Sequence, residues 1–111
     1  MSHVEVVTFK LSAGKSAQQL LNTEEAMKAF LSEQPGFLYR SLSCHEQGTE
    51  GEQWFDIIYW EDARQAQAGG EALMASPLGA ELMATIDPAT CVVRHMPTLC
   101  EHMSCELAEP A

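Results

Sequence analysis

One carboxylate stands inside the most β-prone segment of the chain, the sequence QWFDIIYW at residues 53–60. In a β-strand Asp56 shares one face with Trp54 and Trp60, because alternate residues point the same way. Burial disfavours a charged carboxyl group and raises its pKa, and such a group can act as a general base near neutral pH. We therefore predict Asp56 as a candidate catalytic base. The alternative is a structural carboxylate paired with Ser43 or with a Lys or Arg.

Polar side chains on the preceding strand could complete a site around this carboxylate. His45 could act as a general base or bind a phenol hydroxyl, and His95 on a later strand has the same capacity. Tyr39, Ser41 and Ser43 could donate hydrogen bonds, and the two Trp could wall a small-molecule pocket. The alternative for the Trp, Tyr and Ser residues is ordinary packing, and the alternative for each His is a surface or hydrogen-bonded structural role. The predicted site consists of catalytic Asp56 and His45 and the pocket residues Tyr39, Ser43, Trp54 and Trp60.

Hydrophobic alternation predicts four strands, at residues 4–11, 37–46, 53–60 and 90–96. Ser16 with Gln19 three residues later is typical of a capping box, so a helix should begin there and end before Pro35. Asp62 should cap a second helical stretch, which Ser76-Pro77 breaks and restarts before it ends at residue 86. The order β-α-β-β-α-β predicts an α+β, ferredoxin-like sandwich, in which a four-stranded antiparallel sheet carries its helices on one face.

The predicted hairpin pairs Glu46 with Gln53 and sorts its side chains into two faces. The first face holds Tyr39, Ser41, Ser43 and His45 with Trp54, Asp56, Ile58 and Trp60. The second holds Leu38, Arg40, Leu42 and Cys44 with Phe55, Ile57 and Tyr59. Both faces are too apolar for water, so we expect helices on one face and a second copy of the chain on the other. The residues expected against the second copy are Leu42, Cys44, Phe55, Ile57 and Tyr59. A register shift by one residue would regroup the side chains.

The composition bounds the class of protein. The chain has 111 residues, 16 Asp and Glu against 6 Lys and Arg, and a net charge of −10. We expect one domain at residues 1–97 and an acidic C-terminal tail at residues 98–111. So acidic a chain should repel nucleic acid and anionic membranes, and no apolar run is long enough to span a bilayer. Four Cys without an export signal predict thiols in a cytoplasmic protein.

Four short motifs, in this order, carry a resemblance to a known group of proteins. They are VEVVTFKL at residues 4–11, QPGF at 34–37, YWED at 59–62 and ASPLGAELM at 75–83. Across residues 3–97 the chain resembles the dimeric α+β-barrel superfamily and, within it, the antibiotic-biosynthesis-monooxygenase (ABM)-like group. The resemblance implies a homodimer that packs sheet against sheet. It leaves the activity open, because the superfamily contains oxygenases, haem degraders, isomerases and proteins without known activity.

Cofactors and metals are not expected. The haem-degrading branch, as the resemblance implies, uses a His of the second helix, and residues 62–86 contain no His. The tail sequence Cys100-x-His102-x-x-Cys105 has metal-ligand residue types but no common zinc spacing. The leading hypothesis is a cytoplasmic small-molecule-binding homodimer that, if it is an enzyme, is a cofactor-independent monooxygenase of a phenolic or quinol-like compound. The alternatives are a non-catalytic ligand-binding or structural dimer and an isomerase or lyase on the same fold.

Overall fold

The computed structural model describes residues 2–104, and within them the predicted β-α-β-β-α-β order is confirmed, with each helical stretch divided in two. The elements are β1 (His3–Phe9), α1 (Ala17–Leu21), α2 (Glu24–Ser32), β2 (Phe37–His45), β3 (Gln53–Trp60), α3 (Ala63–Met74), α4 (Pro77–Thr85) and β4 (Val92–Pro97). The four strands form one antiparallel sheet in the order β2-β3-β1-β4. The helices cover one face of this sheet, and the core lies between the two layers.

Local side-chain chemistry sets the helix boundaries. Ser16 and Gln19 form the predicted capping box at the start of α1. Asp62 caps α3 by accepting a hydrogen bond from the Gln65 amide. Ser76 caps α4, which has Pro77 in its first turn, where a missing amide hydrogen costs nothing. The first helical stretch was predicted as one helix, but it is interrupted at residues 22–23.

The predicted hairpin register is wrong by one residue. His45, not Glu46, pairs with Gln53, because Glu46 has a positive φ of 50° and leaves the strand for a turn. The Glu46 carbonyl accepts hydrogen bonds from the backbone amide and the hydroxyl of Thr49, at 3.1 and 2.8 Å. A left-handed residue cannot continue a strand ladder, so the turn begins two residues earlier than the glycines suggested. An odd shift moves the β2 side chains from Tyr39 to His45 to the other face relative to β3. An irregularity of the pairing between Phe37 and Tyr39 keeps Phe37 beside Trp60.

The corrected register divides the sheet into a helix-covered face and an open face. The helix-covered face carries Arg40, Leu42 and Cys44 of β2 beside Trp54, Asp56, Ile58 and Trp60 of β3. The open face carries Tyr39, Ser41, Ser43 and His45 beside Gln53, Phe55, Ile57 and Tyr59. Of the side chains expected against a second subunit, Phe55, Ile57 and Tyr59 lie on the open face, whereas Leu42 and Cys44 pack towards the core.

The chain just beyond β4 continues alongside the start of β1. The Thr98 amide donates to the Ser2 carbonyl, and the Ser2 hydroxyl donates to Thr98 Oγ1 and to Glu101 Oε1. Residues 105–111 of the predicted acidic tail lie outside the described residues. Within residues 2–104 no helix is both long enough and apolar enough to cross a membrane.

Candidate functional site

A cavity of about 890 Å³ lies between the helix-covered face of the sheet and the helices. Its volume is within the range of small-molecule sites, and most of its lining side chains are apolar. The side chains of β1 that face it are His3, Glu5, Val7 and Phe9, and β4 adds Val93 and His95. β4 is an edge strand of the sheet, and all of its residues are exposed.

Two histidines and a carboxylate meet at one end of the cavity. His3 and Glu5 are alternate residues of β1, and His95 lies directly opposite Glu5 in the antiparallel pairing of β1 with β4. The His3 and His95 rings stack with their centroids 5.6 Å apart and their planes at 24°. His3 is only 9% exposed, and within residues 2–104 its Nε2 has no hydrogen-bond partner. The cluster therefore combines two imidazole rings, whose nitrogens can donate or accept a hydrogen bond, with an adjacent carboxylate.

Trp60 holds the carboxylate of this cluster in place. Its indole Nε1–H donates to Glu5 Oε1 at 3.1 Å. The ring is 1% exposed and meets the Phe37 ring edge-on at 6.0 Å. It also packs on the backbone of α3 at Gly69, where any Cβ atom would overlap it. Trp60 thus contacts the site through its indole N–H while its ring fills the core.

A second polar group forms another part of the cavity wall. Arg40 binds Asp56 through two hydrogen bonds of 2.9 Å, from Nε to Oδ1 and from Nη2 to Oδ2. Its Nη1 donates to both carboxylate oxygens of Glu24 on α2, at 3.0 Å. The side chains of Arg40 and Asp56 are each 13% exposed, so this pair is largely removed from water, whereas Glu24 is 32% exposed. The triad of Arg40, Asp56 and Glu24 ties the sheet to α2 with strong charge-assisted bonds.

Burial controls the electrostatics of both carboxylates that line the cavity. It raises the pKa of Glu5, although the Trp60 hydrogen bond and the charge of His95 act in the opposite direction. It also raises the pKa of Asp56, despite the hydrogen bonds from Arg40. Burial alone would lower the pKa of Arg40, but Asp56 and Glu24 outweigh it and raise that pKa above its ordinary value. Both carboxylates therefore have a desolvation cost when charged.

The six residues of the predicted site divide between the two faces. Asp56 lines the cavity, whereas Trp54 and Trp60 are core residues behind it. Tyr39, Ser43 and His45 lie exposed on the open face, so they cannot share a pocket with Asp56 in one subunit. Of the two structural alternatives for Asp56, the partner is Arg40 and not Ser43. The catalytic roles of Asp56 and His45 stay predictions.

Sequence reasoning missed Arg40 and the two site residues at the start of β1. The signal for Glu5 and His3 was present, since the alternation of Val7 and Phe9, extended backwards by two and four residues, reaches them. Arg40 was assigned to the wrong face by the one-residue register error. His95 was noted only as an isolated strand histidine, because nothing in the sequence joins the first strand to the last.

Metal-ligand side chains are not gathered into a site in the part of the chain that the structure describes. Within residues 2–104 no three His, Cys, Asp or Glu side chains are grouped as metal ligands. Cys100 Sγ lies 3.7 Å from His102 Nδ1, and the third member of the motif lies outside the described residues. Cys44, Cys91 and Cys100 are free thiols.

Comparison with known proteins identifies the fold. No protein-family profile matches the chain, and no curated protein sequence does. Among solved structures, SnoaB, a cofactor-independent oxygenase from Streptomyces nogalater, superposes with a TM-score of 0.65 and 15% identity over 90% of this chain and 95% of that chain. A dimeric ferredoxin-like protein of unknown function from Thermobifida fusca superposes with a TM-score of 0.69 and 10% identity over 88% of this chain and 92% of that chain. A heme-degrading protein from Mycobacterium tuberculosis superposes with a TM-score of 0.63 and 18% identity over 93% of this chain and 97% of that chain.

The chain has the ferredoxin-like α+β fold of these proteins. The predicted resemblance to dimeric α+β-barrel proteins is therefore confirmed at the level of fold. At these identities the likeness does not extend to activity, since one fold supports many chemistries. The function must be argued from the cavity and the residues that line it.

Proposed function

We propose that this protein is a homodimeric small-molecule-binding protein and acts as a cofactor-independent monooxygenase on a phenolic or quinol-like compound. The observation that carries the proposal is the apolar 890 Å³ cavity with His3, Glu5 and His95 gathered at one end. A solved structure of the same fold is described as a cofactor-independent oxygenase, which supports the reaction class.

The chemistry asks little of the protein. A base removes the phenol proton, and the electron-rich phenolate transfers an electron to O₂. Recombination of the radical pair gives a peroxide at a ring carbon, and loss of water leaves a quinone. One oxygen atom enters the product and the other leaves as water, so the substrate supplies all the electrons and no external reductant is needed. A cavity that excludes water protects the intermediates.

We assign the base to the histidine pair and not to Asp56. Both oxygens of Asp56 already accept hydrogen bonds from Arg40, so taking a substrate proton would disrupt that pair. An imidazole of His3 or His95 can take the proton, and Glu5 beside them stabilises the resulting imidazolium. Because the proton stays inside the site, phenolate formation leaves the total charge of the cavity unchanged.

The open face of the sheet supports the proposed dimer. It exposes a patch of large side chains that includes Tyr39, 58% exposed, Val92, 41%, and Met96, 38%. Burying such a patch against a second copy would remove its apolar surface from water. Two solved structures of the same fold are described as dimeric ferredoxin-like proteins.

Oxygen uptake tests the proposed reaction. Naphthols and anthrols of graded size are incubated with the chelator-treated protein, without flavin, metal or reductant, and O₂ consumption is followed with an electrode. We expect protein-dependent uptake of one O₂ per molecule of substrate. At least one of the variants His3→Gln and His95→Gln should lower the rate by roughly 10²- to 10⁴-fold, which is the usual contribution of a general base.

His45→Gln tests the sequence-based assignment in the same assay. If this variant loses activity while both cavity histidine variants keep it, the base lies on the open face and our assignment is wrong. Tight binding of phenols without any oxygen uptake would contradict the oxygenase proposal and support the non-catalytic ligand-binding alternative.

A further inference from the structure

The charged side chains around the cavity are predominantly acidic. Glu5, Asp56 and Glu71 line it, and Arg40 is the one Lys or Arg among its described lining residues. Arg40, Ile58, Glu5 and His95 form one row across the sheet, since each lies opposite the next in the strand pairing. Neighbouring strands are about 4.8 Å apart, so the row spans roughly 14 Å of the cavity wall.

Arg40 is not available to an incoming anion. Its Nε and Nη2 bind Asp56, and its Nη1 binds Glu24, so two carboxylates surround one guanidinium. The triad therefore carries a net negative charge, to which Glu5 adds a further carboxylate. In a partly desolvated cavity these charges repel a ligand anion more strongly than they would in water.

A hydrogen-bonding group in the cavity wall lacks a partner. His3 is more than nine-tenths buried, and among residues 2–104 nothing pairs with its Nε2. A buried polar atom without a partner costs free energy, which a ligand could recover. As the unprotonated nitrogen of a neutral ring, Nε2 would accept a hydrogen bond from a ligand O–H or N–H.

We infer that the cavity selects uncharged or cationic aromatic ligands that donate a hydrogen bond, and rejects carboxylates, sulfonates and phosphates of the same size. The inference deepens the proposed function, and it rests on that proposal only because both place the ligand in the same cavity. It narrows the substrate to neutral phenols or amine-bearing aromatics, because an acidic substituent would meet Glu5 or the carboxylates around Arg40.

Three naphthalene probes of matched size test this selectivity. They are neutral 2-naphthol, cationic 2-naphthylmethylammonium and anionic 2-naphthoate, titrated by calorimetry at low ionic strength and pH 8. We expect the neutral and cationic probes to bind at least tenfold more tightly than naphthoate. Glu5→Gln and Glu71→Gln each remove one carboxylate from the cavity lining. Each variant should reduce this affinity gap, the ratio between the affinities for the neutral or cationic probes and for naphthoate, severalfold. Glu50→Gln, in the hairpin loop away from the cavity, should leave the gap unchanged.

The outcomes separate this inference from the proposed function. Naphthoate binding as tightly as naphthol, or a gap that neither cavity variant narrows, would overturn the charge selectivity. Failure of all three probes to bind would overturn both proposals, because no ligand would then enter the cavity. Selective binding without oxygen uptake from any phenol would uphold the selectivity and overturn only the oxygenase.

Discussion

Replacing Asp56 by Asn distinguishes a structural carboxylate from a free catalytic base. The substitution keeps the shape of the side chain but removes its charge and one of the two acceptors that face Arg40. The Asn amide then points a donor at the guanidinium Nε or Nη2, where Asp56 accepted hydrogen bonds of 2.9 Å. Arg40 would keep only Glu24, whose side chain is 32% exposed, as its ionic partner.

The expected loss of stability follows from the burial of this pair. Removing one partner of a fully buried ion pair costs about 3–5 kcal/mol. Here the two side chains are 13% exposed, Glu24 remains, and burial raises the pKa of Asp56, so removing its charge recovers some desolvation cost. We therefore expect Asp56→Asn to lower the free energy of unfolding by about 2–3 kcal/mol at pH 7. In a domain of this size such a loss lowers the melting temperature by roughly 10 °C or more.

A double-mutant cycle identifies the source of the loss. Urea denaturation is measured for the wild type, for Asp56→Leu and Arg40→Met singly, and for the double variant. Each single change leaves a desolvated charge, whereas the double change removes both charges together. The double variant should therefore lose less stability than the sum of the two single losses. If Asp56→Asn is as stable as the wild type, Asp56 is not a structural partner of Arg40. That result would support the sequence-based prediction that Asp56 is an unpaired base.

Three further predictions concern the rest of the molecule. Because burial raises the pKa of Glu5, its folded form keeps a proton that the unfolded chain has lost, so wild-type stability should fall as pH rises from 4.5 through that raised pKa. Glu5→Gln keeps an acceptor for Trp60 but has no proton to lose. In urea denaturation from pH 4 to 7 its free energy of unfolding should therefore rise relative to that of the wild type. A difference in free energy that stays constant over this pH range would contradict the prediction. Gly69→Ala should lose about 1–3 kcal/mol by pressing on the Trp60 ring, whereas its neighbour Gly70→Ala, with open space around it, should gain up to about 1 kcal/mol. Equal effects of the two substitutions in thermal denaturation would refute the packing argument. The wild type should sediment at about twice its 12.2 kDa mass at micromolar concentration, and Ile57→Lys on the open face should yield a folded monomer. A monomeric wild type would exclude the sheet-to-sheet dimer.

The element order and the helix boundaries could be predicted from the sequence because they depend on near neighbours. The capping box of Ser16 and Gln19, the Asp62 cap and the Ser76-Pro77 break each involve groups within a few residues of one another. The alternation of strand residues likewise shows which side chains share a face within one strand. These local signals are sufficient for a ferredoxin-like fold, which similar solved structures confirm.

The composition of the site was decided only by tertiary structure. One left-handed residue, Glu46, set the register between β2 and β3, and with it the placement of Arg40 towards Asp56 and of His45 away from it. The first and last strands of the chain pair as neighbours in the sheet, and this pairing brings His3 against His95. No local sequence pattern encodes that contact. Side-chain alternation has a period of two residues, so it defines two faces but leaves open which face of one strand joins which face of the next. That choice depends on turn geometry and long-range pairing, and here it separated the predicted site into a buried half and an exposed half.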